Sequence, residues 1–244
     1  MSDFHPLRIE SVSKAESERV GSDFQKEKLL LARSQSWNLY HNIKANLLEG
    51  MTEKEALHLS LRISADCGAQ KNWHKPFVRF GPGSVLTFRE PLQADYRLQV
   101  NDPVTIDLGP AWFDDETKCF YEGDVGDTFV FGENAVAEKC ASSARKIFEE
   151  VEQEWLDEKL SGASLYVRME EKAQEHGYLF TREVAGHRIG DFPHHQYSKR
   201  SVASLEFVPQ DLLWVLEIHI RHPQLEVGAF FEDVLGAPKV IRSK

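Results

Sequence analysis

The chain has 244 residues, 41% hydrophobic and 28% charged, values that exclude a disordered polymer and allow a full-sized buried core. A formal net charge of −10 with no Lys/Arg-rich stripe argues against nucleic acid as a partner, because backbone phosphates are bound by clustered positive charge. The 3 cysteines, Cys67, Cys119 and Cys140, lack CxxC spacing and point to neither a disulfide framework nor a thiolate metal site. No run approaches the length of a membrane span and the start of the chain lacks a basic and apolar leader pattern. A cytoplasmic protein acting on a small molecule, with no membrane partner, is expected, and monomer and homodimer both stay open.

From Ser22 to Leu48 the residues Phe24, Leu29, Leu30, Ala32, Trp37, Leu39, Ile43 and Leu47 recur at near-helical spacing, and Glu49-Gly50 stops the pattern. Thr52-Glu53-Lys54-Glu55 is a capping box opening a second helix that runs to about Cys67. Between Trp73 and Gly83, two prolines and two glycines forbid a helix, and the stretch reads as strand then loop. Val104–Gly109 and Asp127–Phe131 are short buried strands, with Pro110–Gly126 as a connecting loop rich in Asp, Glu and Gly. Asn134 caps a long helix reaching about Leu160, and Ser164 opens a shorter one ending at His176-Gly177. Strands at Leu212–Ile220 and Gly228–Leu235 complete an α+β pattern of helix pairs on one face of a curved antiparallel sheet. Residues 1–21 are expected to be a tail and 22–244 a single domain.

Asp107, Asp124, His187, Glu217 and Glu232 each lie in or beside an apolar segment that reads as buried. A lone carboxylate there costs several kcal/mol to desolvate, and these runs hold no Lys or Arg that could neutralise it. Four carboxylates and one neutral imidazole would be balanced by two divalent cations, so a two-metal site is the economical reading.

The series Gly50-Met51-Thr52-Glu53, Val104-Thr105-Ile106-Asp107-Leu108-Gly109, Tyr121-Glu122-Gly123-Asp124, Gly186-His187-Arg188-Ile189-Gly190, Leu216-Glu217 and Phe231-Glu232-Asp233-Val234-Leu235 resembles the pita-bread metallopeptidases. That family includes methionine aminopeptidase, aminopeptidase P, prolidase and creatinase, and the likeness covers about residues 25 to 236. It implies a pita-bread fold and hydrolysis of a C–N bond in a small peptide or small amide-like substrate, using two divalent metal ions (Mn, Co, Fe or Zn). By the same resemblance Asp107 would chelate one metal, Asp124 and Glu232 would bridge both, and His187 and Glu217 would hold the second. Glu217 would also shuttle a proton, and His194, seventh after His187, would contact substrate. The long connection from Asp107 leaves Asp127 as an alternative to Asp124. His219 follows Glu217 by two residues, so in a strand it shares a face with it and either lines the pocket or packs structurally.

Three departures stand out. The family's further histidine ahead of the first aspartate strand is missing from Val85-Leu86-Thr87-Phe88-Arg89-Glu90, and His74 either reaches the site from another strand or packs on Trp73. Arg188 replaces a glycine beside His187. With Arg79 and Arg89 it could clamp a substrate carboxylate, as suits a creatinase-like enzyme for a small carboxylated compound, or it could neutralise an acid such as Asp191. Only the 21-residue tail precedes the first expected helix, which implies the catalytic domain alone. A pita-bread domain turned protein-binding module is the non-enzymatic reading, disfavoured because no ligand type is lost.

Overall fold

The computed structural model describes residues 13–184 and 186–239, so residues 1–12 of the expected tail and 240–244 lie outside it. The helices are α1 (Lys14–Ser17), α2 (Lys26–Asn46), α3 (Glu53–Asp66), α4 (Ala135–Glu158) and α5 (Gly162–Glu175). The strands are β1 (Lys71–Asn72), β2 (Phe77–Phe80), β3 (Asp102–Leu108), β4 (Pro110–Asp114), β5 (Cys119–Glu122), β6 (Val125–Phe131), β7 (Leu179–Phe180), β8 (His187–Arg188), β9 (Trp214–Arg221) and β10 (Gly228–Val234). Local chemistry sets the helix starts. The Thr52 hydroxyl accepts the Glu55 amide while the Glu55 carboxylate accepts the Thr52 amide, and the Asn134 side chain accepts the amides of Val136 and Ala137.

Seven antiparallel strands form the main sheet in the order β2-β3-β6-β10-β9-β7, with β8 also paired to β9. The α+β arrangement expected from the sequence is present, with α2 and α4 packed on one face of the sheet. There Phe231 stacks on Trp37 of α2 and meets Phe148 of α4 edge-on. The expected loop 110–126 is a correction: it folds as the β4-β5 hairpin, and β1 joins β4 to make a second, three-stranded sheet. Its acidic tip masks the apolar residues that flank it, Ala111, Trp112 and Tyr121, which are buried on folding.

Residues 13–21 pack onto the domain. Ser17 and Glu18 are buried, and the Glu18 carboxylate accepts the Trp214 indole N–H at 2.9 Å and the Gln210 amide at 2.6 Å. No helix among the described residues is long and apolar enough to cross a membrane.

Strand register positions the site. Asp107 pairs with Gly126, Gly126 with Glu232, and Glu232 with Glu217, so one row across β3, β6, β10 and β9 carries three carboxylates around a glycine. The next row on that face is Thr105, Thr128, Phe230 and His219. The alternate row, Ile106, Asp127, Phe231 and Ile218, faces the helices.

Candidate metal centre

The period-two alternation sorts the candidate residues by face. Asp124 is two residues before Gly126 and shares its face, whereas Asp127 is one residue after and faces α4, where Arg145 holds it at 2.8 Å. Asp127 is therefore outside the cluster. Arg188 is next to His187 and points the other way: fully buried, it donates to the carbonyls of Ser17, Leu213 and Arg19. Arg79 is spent on Glu53 and on the carbonyls of Thr87, Glu90 and Pro91, and Arg89 is exposed beside Phe88. The expected arginine clamp does not form. Arg188 instead ties residues 17–19 to β8 and to Leu213 just ahead of β9, and Arg79 pins the loop that carries Phe88, Glu90 and Pro91 at the mouth of the site.

The remaining candidates converge. His187 Nε2 lies 2.7 Å from Asp124 Oδ2, and His74 Nε2 lies 3.3 Å from Asp107 Oδ1 and 3.5 Å from Asp124 Oδ1. Two ligand-atom triads, His74-Asp107-Asp124 and Asp124-His187-Glu232, each fall within 4.8 Å. Glu217 accepts the Gly186 amide at 2.5 Å on the His187 side. Gly126 at the centre is what leaves room, since a Cβ there would come 2.7 Å from Glu232 Oε1.

Electrostatics show how strained this cluster is. Burial, with the charges of Asp107, Asp124 and Glu217, holds Glu232 well above the ordinary glutamate range. Burial likewise raises Asp107 and Glu217, against the opposing pull of His74 and His187 respectively. Asp124 goes the other way: burial would raise it, but His187 and His74 outweigh that and hold it below the usual range. Burial lowers the two imidazoles, yet the carboxylates win, raising His74 to about 9 and His187 to about 10. Among the described residues no Lys or Arg pairs with any of the four acids: Asp124 Oδ2 and Asp107 Oδ1 face the imidazoles of His187 and His74, and Glu232 Oε1 is buried without a hydrogen bond. Hard oxygen donors with imidazoles, short of cationic partners, fit divalent metal.

Around the cluster opens a cleft of about 790 Å³ lined by Trp73, Phe77, Phe88, Pro91 and Leu92 and by the site residues. Trp73 packs its ring 4.4 Å from His74, 4.5 Å from His187 and 5.0 Å from His194. His194 stacks on His187 and borders the cleft. Its orientation comes from a residue that the sequence reading passed over: fully buried Glu122 accepts His194 Nδ1 at 2.7 Å and the His194 amide at 3.0 Å. The one available signal was its place directly before Gly123-Asp124. His219 lines an apolar recess with Phe77, Leu86, Phe88 and Phe230 next to Glu217. Nε2 meets the Ser84 carbonyl at 3.0 Å, and burial lowers the ring to about 4, so it is neutral at physiological pH.

No curated protein matches the sequence. Among solved structures, the prolidase of Thermococcus sibiricus superposes with a TM-score of 0.69 at 18% identity, over 89% of this chain and 57% of that one. The X-Pro aminopeptidase of Thermotoga maritima gives 0.65 at 21% identity, over 86% and 57%. Methionine aminopeptidase from Thermotoga maritima gives 0.65 at 15% identity, over 89% and 93%. The chain thus spans little more than half of the first two and nearly all of the third, and at these identities the likeness is one of fold. The family model described as metallopeptidase family M24 matches residues 29–235, and it is to this family, with its pita-bread fold, that the chain belongs.

Proposed function

We propose that the protein is a dinuclear metal-dependent hydrolase of aminopeptidase or prolidase type that cleaves a C–N bond in a short peptide or small amide. The observation that carries this reading is the convergence of Asp107, Asp124, Glu217 and Glu232 on one face without a Lys or Arg partner among the described residues. We assign Asp107 to one cation, His187 and Glu217 to the other, and Asp124 and Glu232 to both. Bound there, the pair would supply a hydroxide near neutral pH and polarise the scissile carbonyl.

The chain's own groups do the rest. Glu217, whose carboxyl burial lifts, would take a proton from water and return it to the leaving nitrogen. With Nδ1 committed to Glu122, His194 Nε2 accepts from a substrate N–H when the ring is neutral and donates to the developing oxyanion when it is protonated. The apolar cleft walls keep bulk water away, and their size suits a di- or tripeptide. Because Arg79 and Arg188 are committed elsewhere, a peptide is favoured over the small carboxylated compound that a clamp would have served.

The test is metal analysis of protein purified without added metal, then a panel of Xaa-Pro dipeptides, N-terminal methionyl peptides and small amides with Mn, Co, Fe and Zn in turn. About two equivalents of metal and turnover of a peptide are expected, with both activity and one equivalent lost in His187→Ala. Full activity in that variant would sink the assignment. Glu122→Gln, which swaps an obligate acceptor for an amide, is expected to keep both metals and lose roughly 10–100-fold in kcat/KM, the usual cost of removing an orienting partner. Unchanged kinetics in that variant would remove His194 from the reaction.

A further inference from the structure

His74 and His187 are set up alike. The Nδ1 of His187 meets the carbonyl of the next residue, Arg188, at 2.7 Å, and the Nδ1 of His74 meets the carbonyl of its next residue, Lys75, at 2.8 Å. A backbone carbonyl accepts only, so each ring carries a proton on Nδ1 and turns Nε2 inward. This is the outer-partner arrangement that fixes an imidazole for metal binding. The two Nε2 atoms then face opposite oxygens of one carboxylate, His187 on Asp124 Oδ2 and His74 on Asp124 Oδ1. Each ring also has a carboxylate of its own, Glu217 beside His187 and Asp107 beside His74.

Building on the dinuclear reading, we propose that His74 is a metal ligand of the Asp107 half of the site, so that each cation is held by one imidazole, one carboxylate of its own and the shared pair Asp124 and Glu232. The histidine missing from Val85–Glu90 is thus not replaced by a substrate-contacting group. The β1–β2 connection adds an imidazole to the coordination sphere instead. Gly109 makes this entry sterically open: a Cβ there would come 2.2 Å from His74 Cδ2 and 2.3 Å from Trp73 Nε1. Trp73, whose amide donates to the Gly109 carbonyl at 2.9 Å, holds the histidine against β3 and β4.

The decisive measurement needs no variant. X-ray absorption of the wild-type protein loaded with two equivalents of zinc should show an average of about one imidazole per zinc, the number two ligating histidines give in a dinuclear site, as against half that if His187 alone ligates. Calorimetric titration of metal-stripped protein with Co(II) should give two equivalents for wild type. In His74→Ala one site should keep its affinity and the other weaken by at least about tenfold, as should Gly109→Ala, which keeps the ring but displaces it. Half an imidazole per zinc, with two undiminished equivalents in His74→Ala, would overturn the role of His74 and leave the hydrolase reading standing. Wild-type protein that binds no metal would overturn both.

Discussion

Glu232→Gln is expected to raise the stability of the metal-free protein while destroying its capacity to bind two cations. Glu232 is almost wholly buried, its Oε1 has no hydrogen bond, and burial together with three neighbouring acids keeps its carboxyl protonated far above the normal range. Such a group is held against its own preference, and a neutral amide of the same shape relieves the conflict. Relieving a destabilised functional site commonly gains about 0.5–2 kcal/mol, and for a chain of this size each kcal/mol moves Tm by roughly 2–4 °C. With divalent metal present the order should reverse, because wild type gains binding free energy that the variant forfeits. Hydrolysis should fall by more than the ~10–100-fold that loss of an outer partner costs. Differential scanning calorimetry with chelator and with Mn or Zn reads both halves. A variant less stable than wild type in chelator and equally stable in metal would mean that Glu232 is an ordinary structural acid.

The same physics explains what could be read from the sequence. Asp107, Glu217 and Glu232 were recognisable because an acid inside an apolar strand is expensive, and their row across β3, β10 and β9 is what the alternation of a half-buried sheet produces. Asp124 and Asp127 could not be separated without the register of β6. Three residues apart, they must face opposite sides, and the pairing of Gly126 with Asp107 decides which side is the site. The clamp reading of Arg188 fails for the same reason: adjacency to His187 in the chain places it on the far face, among carbonyls of residues 17, 19 and 213, where Asp191 is among the acids whose charge acts on it. Glu122 is not legible in the sequence because its meaning depends on a distant partner, His194, and the β4-β5 hairpin is not because an acidic tip masks its apolar flanks. His74 could be named as a candidate, but its orientation required the Lys75 carbonyl to be seen accepting from the ring.

Metal uptake is expected to expel protons and to strengthen steeply with pH. In the metal-free protein the carboxylates raise His74 to about 9 and His187 to about 10 against the effect of burial, so both rings are imidazolium at neutral pH. A metal binds only the neutral ring, so each ring must give up its proton, and the upward shifts of Glu232, Asp107 and Glu217 act in the same direction. Each proton released makes the apparent affinity rise about tenfold per pH unit. The stability of the metal-free protein runs the other way with pH. Folded-state values above the ordinary histidine value of 6.5 contribute stability that is complete below 6.5 and lost as pH climbs through 9 to 10. The metal-free protein should therefore soften across that window while the loaded protein does not, and the Tm gain on adding metal should widen from pH 6.5 to 9. Titration calorimetry in buffers of different ionisation heat counts the protons directly, and two or more per dinuclear site are expected at pH 7. An affinity that stays flat over this range, or uptake without proton release, would show that neither the imidazoles nor the raised acids hold the protons assigned to them before metal arrives.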